Sequence, residues 1–228
     1  MKENNIEWST FLQPYEFAVT NFLTKLQFIK KQYTTQGLKN PIEDITGRVK
    51  SPTSILEKLD RLNMELGDVR DITDIAGIRI TCKYIQDVYD IYEILNSRKD
   101  IKIVLVKDYI KYPKPSGYRS LHLIAKYNAE TINGQMPVYM EFQIRTLAMH
   151  LWASIEHSLK YKYYLNIPLS LRNRLTEASK IAYDLDVEMS KIKSDMDSFE
   201  EDSERKPTEE KFLSDWFALH EKNLHDSK

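Results

Sequence analysis

The polar and apolar positions divide the chain into a helical beginning, a middle of period two and a helical end. From Pro14, a suitable first helical residue, apolar side chains recur at Ala18, Phe22, Leu26, Ile29 and Tyr33, the spacing of one helix face. Residues 34–47 contain Gly37, Pro41 and Gly47 and read as a connecting loop. Ser51 before Pro52 is an N-cap and first-turn pair, opening a short helix through Ile55, Leu56 and Leu59.

The period then changes. Ile78, Ile80, Cys82 and Tyr84 alternate with Arg79, Thr81 and Lys83, so a strand over 78–84 turns an apolar face one way and two cations the other. Asp87 is placed to cap a helix through Val88, Ile91 and Leu95, and residues 101–107 give a further strand. Leu121, Leu123, Ala125 and Tyr127 alternate with His122, Ile124 and Lys126; Val138, Met140, Phe142 and Ile144 alternate with Tyr139, Glu141, Gln143 and Arg145. Asn133-Gly134 between them is a hairpin signal, so the two strands pair antiparallel and present their polar side chains together.

Helical spacing returns with Thr146 as a cap and Ala148, Trp152, Ile155 and Leu159 as the apolar stripe. After Pro168 a heptad seam runs through Leu171, Leu175, Ala178, Ala182, Leu185, Met189, Ile192, Met196 and Phe199. Such a seam either packs on the N-terminal helix of the same chain or joins copies of the chain. Beyond residue 200 an acidic run and Pro207 read as a mobile tail with at most a short helix near Phe212 to His220.

Composition adds exclusions. The chain is 42% hydrophobic and 29% charged, the mixture of a folded cytosolic protein, and has no apolar run long enough to span a bilayer and no secretory signal. The cytoplasm is the expected compartment. A single cysteine, Cys82, excludes an intrachain disulfide framework and a multi-thiolate zinc site, and its apolar strand setting marks a buried structural thiol. The net charge of −1 gives no global attraction to nucleic acid, but residues 107–122 hold four cations against one acid, where a polyanion would sit. Residues 193–210 hold eight acids against three bases and read as solvated.

The six glycines form neither a P-loop nor a GxGxxG turn, so any phosphate must be held by side chains. Lys107, Lys111, Lys114, Arg119 and His122 surround Ser116-Gly117, and Tyr118 adds an aromatic face; the same residues would also suit an ordinary basic loop. Glu141 and Asp74 taken singly are a solvated strand acid and a loop cap. Taken together, as carboxylates on neighbouring strands, they could hold magnesium against a nucleotide's phosphates. His150 and His157 lack HExxH spacing, which argues against zinc.

The strings DITDIAGIRI, KPSGYRSLH and EFQIRTLAMHLWASIEH with YKY following, in this order, resemble the synthetase domain of RelA/SpoT-type alarmone enzymes. With WSTFLQPYEFAV, PIEDITGRVK and DLDVEMSKIKS, the likeness extends over about residues 7–200 and is that of the stand-alone, RelQ-like small alarmone synthetases. The resemblance implies an α/β (α+β) fold of nucleotidyltransferase-like type, with a mixed, largely antiparallel sheet of about five strands, flanking helices and long terminal helices. It implies a division into an N-terminal helix and loop (1–47), a catalytic core (48–165), an oligomerisation helix (166–200) and an acidic tail (201–228). The implied activity moves the β,γ-diphosphate of ATP to the 3′-hydroxyl of GTP or GDP, giving pppGpp and ppGpp with release of AMP, in the stringent response and without hydrolase activity.

By motif position the resemblance makes Asp74 and Glu141 the catalytic acids and Mg2+ ligands. It places Arg48, Lys58, Arg79, Gln143 and Arg145 on the ATP side, with Arg48 and Arg79 sandwiching adenine, and Lys107, Lys114, Tyr118, His122 and His150 on the GTP/GDP side. His150 stands where relatives often carry Asn or Asp. Implied partners are other copies of the chain in a homotetramer, and an alarmone effector or single-stranded RNA in a central cleft; no membrane is implied. Leu23 and Gln27 replace basic residues that help bind the effector in RelQ-like enzymes. Two other readings are a pyrophosphokinase acting on adenine nucleotides or the tRNA 3′ end, and a non-catalytic nucleotide- or RNA-binding regulator.

Overall fold

The computed structural model describes residues 6–162 and 168–203 of the 228-residue chain. Two compact units are distinguished, residues 1–187 and 188–228. The first holds a five-stranded sheet in the order β1-β2-β5-β4-β3, built from β1 (Asp44–Val49), β2 (Ala76–Cys82), β3 (Ile101–Asp108), β4 (Leu121–Thr131) and β5 (Gly134–Thr146). Only β2 and β5 pair parallel. The second unit is described as the last part of one long helix, up to Ser203. The expected acidic tail beyond Ser203, including the short helix near Phe212 to His220, lies outside the described residues.

Alternation decides the two faces of the sheet. Val138, Met140, Phe142 and Ile144 of β5 and Leu121, Leu123, Ala125 and Tyr127 of β4 are buried, as read from period two. They face helix α1 (Trp8–Thr35), whose Phe22 meets the rings of Tyr127 and Phe142 edge-on at 5.2 and 5.5 Å. Helix α3 (Ile85–Asn96) adds Val88, Ile91 and Leu95 to the same core. Helix α1 begins six residues before Pro14, which therefore sits inside it. Packing outweighs the lost hydrogen bond: Leu12 and Tyr15 are buried, and Trp8, Phe11 and Tyr15 form a chain of ring contacts.

The loop expected over 34–47 is a strand from Asp44 onward, and the reason is close approach. Gly47 of β1 lies under α1, where a Cβ would come within 2.6 Å of Val19 Cγ1 and 2.9 Å of Leu23 Cδ1. A glycine read as a loop signal is thus a strand residue that lets a helix lie against the sheet. Helix α2 (Pro52–Leu62) starts as expected, with Ser51 accepting from the Ser54 N–H. Strand β2 ends at Cys82 rather than Tyr84, because the Tyr84 N–H donates to the Asp87 carboxylate at 3.1 Å and opens α3. The β4–β5 turn is Ile132-Asn133, one residue earlier than expected. Thr131 closes it, its hydroxyl donating to the Gly134 carbonyl at 2.6 Å and accepting from the Asn133 N–H.

Helix α4 (Leu147–Lys162) is capped by Thr146, whose hydroxyl accepts from the Met149 N–H. Its buried face is Met149, Trp152, Ala153 and Glu156, so Ile155 is exposed, contrary to the expected stripe. The rotation is set by Trp152, whose indole N–H donates to the Leu175 carbonyl of α5 (Leu169–Ser203) at 2.9 Å. The heptad seam of α5 is largely uncovered: Leu171, Leu185, Met189, Ile192, Met196 and Phe199 are exposed.

Gly47→Ala is expected to destabilise the protein by about 1–3 kcal/mol, the usual cost of overpacking a close contact. Urea unfolding of the variant against the parent measures it.

Candidate functional site

The face of the sheet opposite α1 carries the polar alternates. Strand register brings them together: Gly77 pairs with Arg48 on one side and Glu141 on the other, and Arg79 pairs with Thr46 and Gln143. Paired residues share a face, so Arg48, Arg79, Glu141 and Gln143 surround a position, Gly77, that has no side chain. The result is an open pocket of about 290 Å³ lined by these residues with Thr46, Gly47, Ile78 and Asp74.

Asp74 lies in the turn that leads into β2. It is held by two lysines, Lys58 Nζ of α2 at 2.7 Å from Oδ1 and Lys50 Nζ at 3.2 Å from Oδ2. Lys50 was missed by sequence reasoning, along with Thr46. Had residues 44–49 been read as a strand, alternation would have set Thr46, Arg48 and Lys50 on one side.

Glu141 is at the centre of the sheet and about one-seventh exposed. Its Oε1 is 2.9 Å from His122 Nδ1, and its Oε2 accepts from Gln143 Nε2 at 2.7 Å. Burial pushes the carboxyl upward, but hydrogen bonds from His122 and Gln143 and the charges of His122 and Lys58 outweigh it and hold the pKa at about 2. The hydrogen bonds continue. His122 Nε2 is 2.7 Å from the Tyr118 hydroxyl, which accepts from Arg145 Nη2 at 2.6 Å, while Arg145 also donates to Gln143 Oε1 at 2.7 Å. Arg145 is 5% exposed. Glu141, His122, Tyr118, Arg145 and Gln143 therefore close a ring of hydrogen bonds.

Cations crowd this face. Arg79 has its pKa lowered by burial and by the charges of Arg145 and Arg48, and its Nε is buried with no hydrogen-bond partner. His150, on α4, is pushed down by burial and by Arg79 and Arg145, and its Nδ1 is also buried and unpartnered. Arg79 Nε, a buried donor without a partner beside the like charges of Arg48 and Arg145, suits an anion.

On the β3–β4 side, residues 109–120 form a knit loop. Asp108 Oδ1 accepts from the N–H groups of Ile110 and Lys111. A turn is closed by Gly117 N–H to Lys114 O at 2.8 Å, and Arg119 Nη1 donates to Ile110 O. Lys114 Nζ rides 4.7 and 4.9 Å from the ring centres of Tyr109 and Tyr118. Lys107 pairs in register with His122 and is exposed on β3. Of the residues expected from sequence, Arg48, Asp74, Arg79, Glu141 and Gln143 line one pocket. Lys58, His122, Tyr118 and Arg145 join it through ion pairs or hydrogen bonds, Lys114 and Lys107 flank it, and His150 stands behind Arg79 and Arg145.

Two carboxylates in a pocket shared with Arg48 and Arg79, beside a loop of lysines and tyrosines, make a site on a mixed sheet that suits phosphate groups. Residues 47–166 match a family model described as a region found in RelA / SpoT proteins. The chain belongs to the RelA/SpoT family. GTP pyrophosphokinase YjbM of Bacillus subtilis is 46% identical over 190 residues, 83% of this chain and 90% of that protein. GTP pyrophosphokinase YwaC of the same organism is 43% identical, covering 84% and 92%. The crystal structure of small alarmone synthetase 1 from Bacillus subtilis bound to its product pppGpp aligns with a TM-score of 0.81 at 46% identity, covering 83% of this chain and 97% of that one. The same synthetase bound to AMPCPP gives 0.74 at 41% identity, covering 85% and 100%.

His122→Ala is expected to raise the Glu141 pKa above about 2, because burial remains while the hydrogen bond and charge of His122 are lost. A carboxyl with a depressed folded pKa adds stability that is present above its unfolded pKa and lost as pH falls through the folded one. The parent should therefore lose this contribution between pH 4.5 and about 2, and the variant should lose less of it. Carbon-13 NMR titration of the carboxyl and acid unfolding of both proteins measure the difference.

Proposed function

We propose that the protein is a GTP/GDP pyrophosphokinase that moves the β,γ-diphosphate of ATP to the 3′-hydroxyl of GTP or GDP, forming pppGpp or ppGpp and AMP. The observation that carries this reading is the place of Glu141. It stands on the central strand, with the guanidinium pocket of β1 and β2 on one side and the lysine–tyrosine loop of β3 and β4 on the other. A two-substrate transfer needs such an arrangement, with two binding halves and the reacting atoms between them.

Arg48 and Arg79 hold the ATP base and phosphates, with Lys58, Gln143 and Arg145 ordering that side. Lys107, Lys114, Tyr118, His122 and His150 serve the acceptor. Asp74 and Glu141 offer oxygen donors only, and no group of three or more His, Cys, Asp or Glu suited to a metal occurs among the described residues. Such a pair fits Mg2+, which takes one or two carboxylates and completes its shell with phosphate oxygens and water. When bound there, the ion neutralises charge on the transferring diphosphate. Glu141 accepts the hydrogen bond of the 3′-hydroxyl, aligns its oxygen on the β-phosphorus and takes its proton as that oxygen attacks. The new O–P bond forms as the α,β-bridging bond breaks and AMP leaves. The relatives named above are GTP pyrophosphokinases, and one has been solved with pppGpp and with AMPCPP.

The active form is a homotetramer in the cytoplasm, assembled through exposed apolar rows. Leu147, Leu151 and Ile155 form one on α4, and Ile181 and Leu185 lie on α5.

Purified protein with ATP, Mg2+ and labelled GDP or GTP should yield a 3′-pyrophosphorylated guanosine, and EDTA should abolish the product until Mg2+ is restored. Glu141→Ala should lower kcat by roughly a thousandfold or more with unchanged circular dichroism, since it removes both a metal ligand and the hydroxyl's acceptor. No guanosine product from the parent, or retained turnover in the variant, refutes the reading. Light scattering should give the mass of four 26.9 kDa chains, and Leu151→Glu with Leu185→Glu should lower it; a monomeric parent rejects the assembly.

A further inference from the structure

Helix α5 reaches the acceptor-side loop through two side chains that the heptad seam does not use. The Ser179 hydroxyl, 6% exposed, donates to the Gly117 carbonyl. The Arg119 guanidinium lies 3.9 Å from the centre of the Tyr183 ring. Gly117 and Arg119 are the two neighbours of Tyr118, so α5 grips the loop on both sides of that residue. The fit at Gly117 leaves no slack: its φ is +89°, and a Cβ there would stand 2.6 Å from Ser179 Cβ. The gripping segment is itself fastened at both ends. The Leu175 carbonyl accepts from Trp152, and the buried Asp186 carboxylate accepts from the Thr146 hydroxyl at 2.6 Å, where β5 passes into α4. This part of α5 is tied to the sheet and to the loop at once.

We propose that Ser179 and Tyr183 are positioning residues for the acceptor nucleotide: they set the place of Tyr118 and of the Lys114 turn without touching substrate. The proposal rests on the reading that this loop serves GTP or GDP. Tyr183 acts through its ring face, which carries Arg119, and Arg119 in turn fixes the loop's start by donating to the Ile110 carbonyl at 2.7 Å. Ser179 acts through its hydroxyl, which holds the carbonyl of a residue in a left-handed conformation. Residues that only supported the fold would affect both substrates alike.

The test is steady-state kinetics on the full chain, varying GDP at saturating ATP and ATP at saturating GDP. Tyr183→Leu should raise the KM for GDP about five- to tenfold, the factor that loss of one cation–π contact corresponds to. The KM for ATP and kcat should stay within about twofold. Tyr183→Phe keeps the ring and should behave as the parent. Ser179→Ala should give a smaller rise, again confined to GDP. Amide hydrogen exchange without nucleotide supplies a readout independent of the reaction: residues 114–119 should exchange faster in Tyr183→Leu and Ser179→Ala than in the parent or Tyr183→Phe. Equal rises in both KM values, an unchanged KM for GDP, damage by Tyr183→Phe equal to that by Tyr183→Leu, or unchanged exchange each overturns the proposal. Should Tyr183→Leu fail to fold, Ser179→Ala and Tyr183→Phe decide by the same criteria. A parent that makes no guanosine product instead defeats the functional reading, while the exchange result still reports on the grip.

Discussion

The parallel pairing of β2 with β5, with Gly77 opposite Glu141, is the constraint on which the site depends. A parallel pair needs a long connection, which α3, β3 and β4 provide before the chain returns as β5 at the centre of the sheet. That return puts the ends of two distant segments side by side. Asp74, Arg79 and, through β1, Arg48 arrive from one part of the chain, and Glu141, Gln143 and Arg145 from another. A slip of one residue would turn Glu141 toward Phe22 of α1 and Phe142 toward the pocket. The apolar face fixes the register because burying Met140, Phe142 and Ile144 is worth far more than any polar contact across the site.

The cost of this convergence is electrostatic. Burial lowers the pKa of Arg79, and the charges of Arg145 and Arg48 lower it further, with only part of that repulsion offset by Glu141. Glu141 and Asp74 are already engaged, one by His122 and Gln143, the other by Lys50 and Lys58. Extra positive charge thus remains on a partly desolvated surface, where nucleotide phosphates would relieve it. The same crowding makes the hydrogen-bond ring through Tyr118 and His122 useful, since it gives the buried Arg145 two acceptors that are not carboxylates.

Helix α5 has two characters along its length. Toward the sheet it offers polar anchors, Ser179 and Asp186, and the Tyr183 ring; elsewhere it shows the apolar seam of a helix that expects company. A heptad pattern alone says only that apolar residues recur on one side. It does not say that the adjoining side, one residue further round, is the one fastened to the domain.

Much of the site was legible because alternation in a strand is strict. Period two put Glu141, Gln143 and Arg145 on one face and His122 with them across the hairpin, and the family motifs gave them an expected chemistry. Pairing of distant segments was less legible. Gly47 looked like loop punctuation, as Pro41 rightly did, because an edge strand under a close-lying helix uses glycine as a loop does, and with β1 missed, Lys50 and Thr46 went unseen. The buried face of α4 was misplaced because apolar residues occur on both its sides, and a single bond from Trp152 to α5 chose between them. By itself the sequence determined which residues share a strand face, where most elements lie and which family's motifs they carry, because these depend on local period and order. Only the tertiary structure decided what stands opposite each face: Lys50 and Lys58 at Asp74, Arg145 at Tyr118, and α5 at Gly117. Those contacts depend on register and helix rotation, which are set by packing over the whole domain.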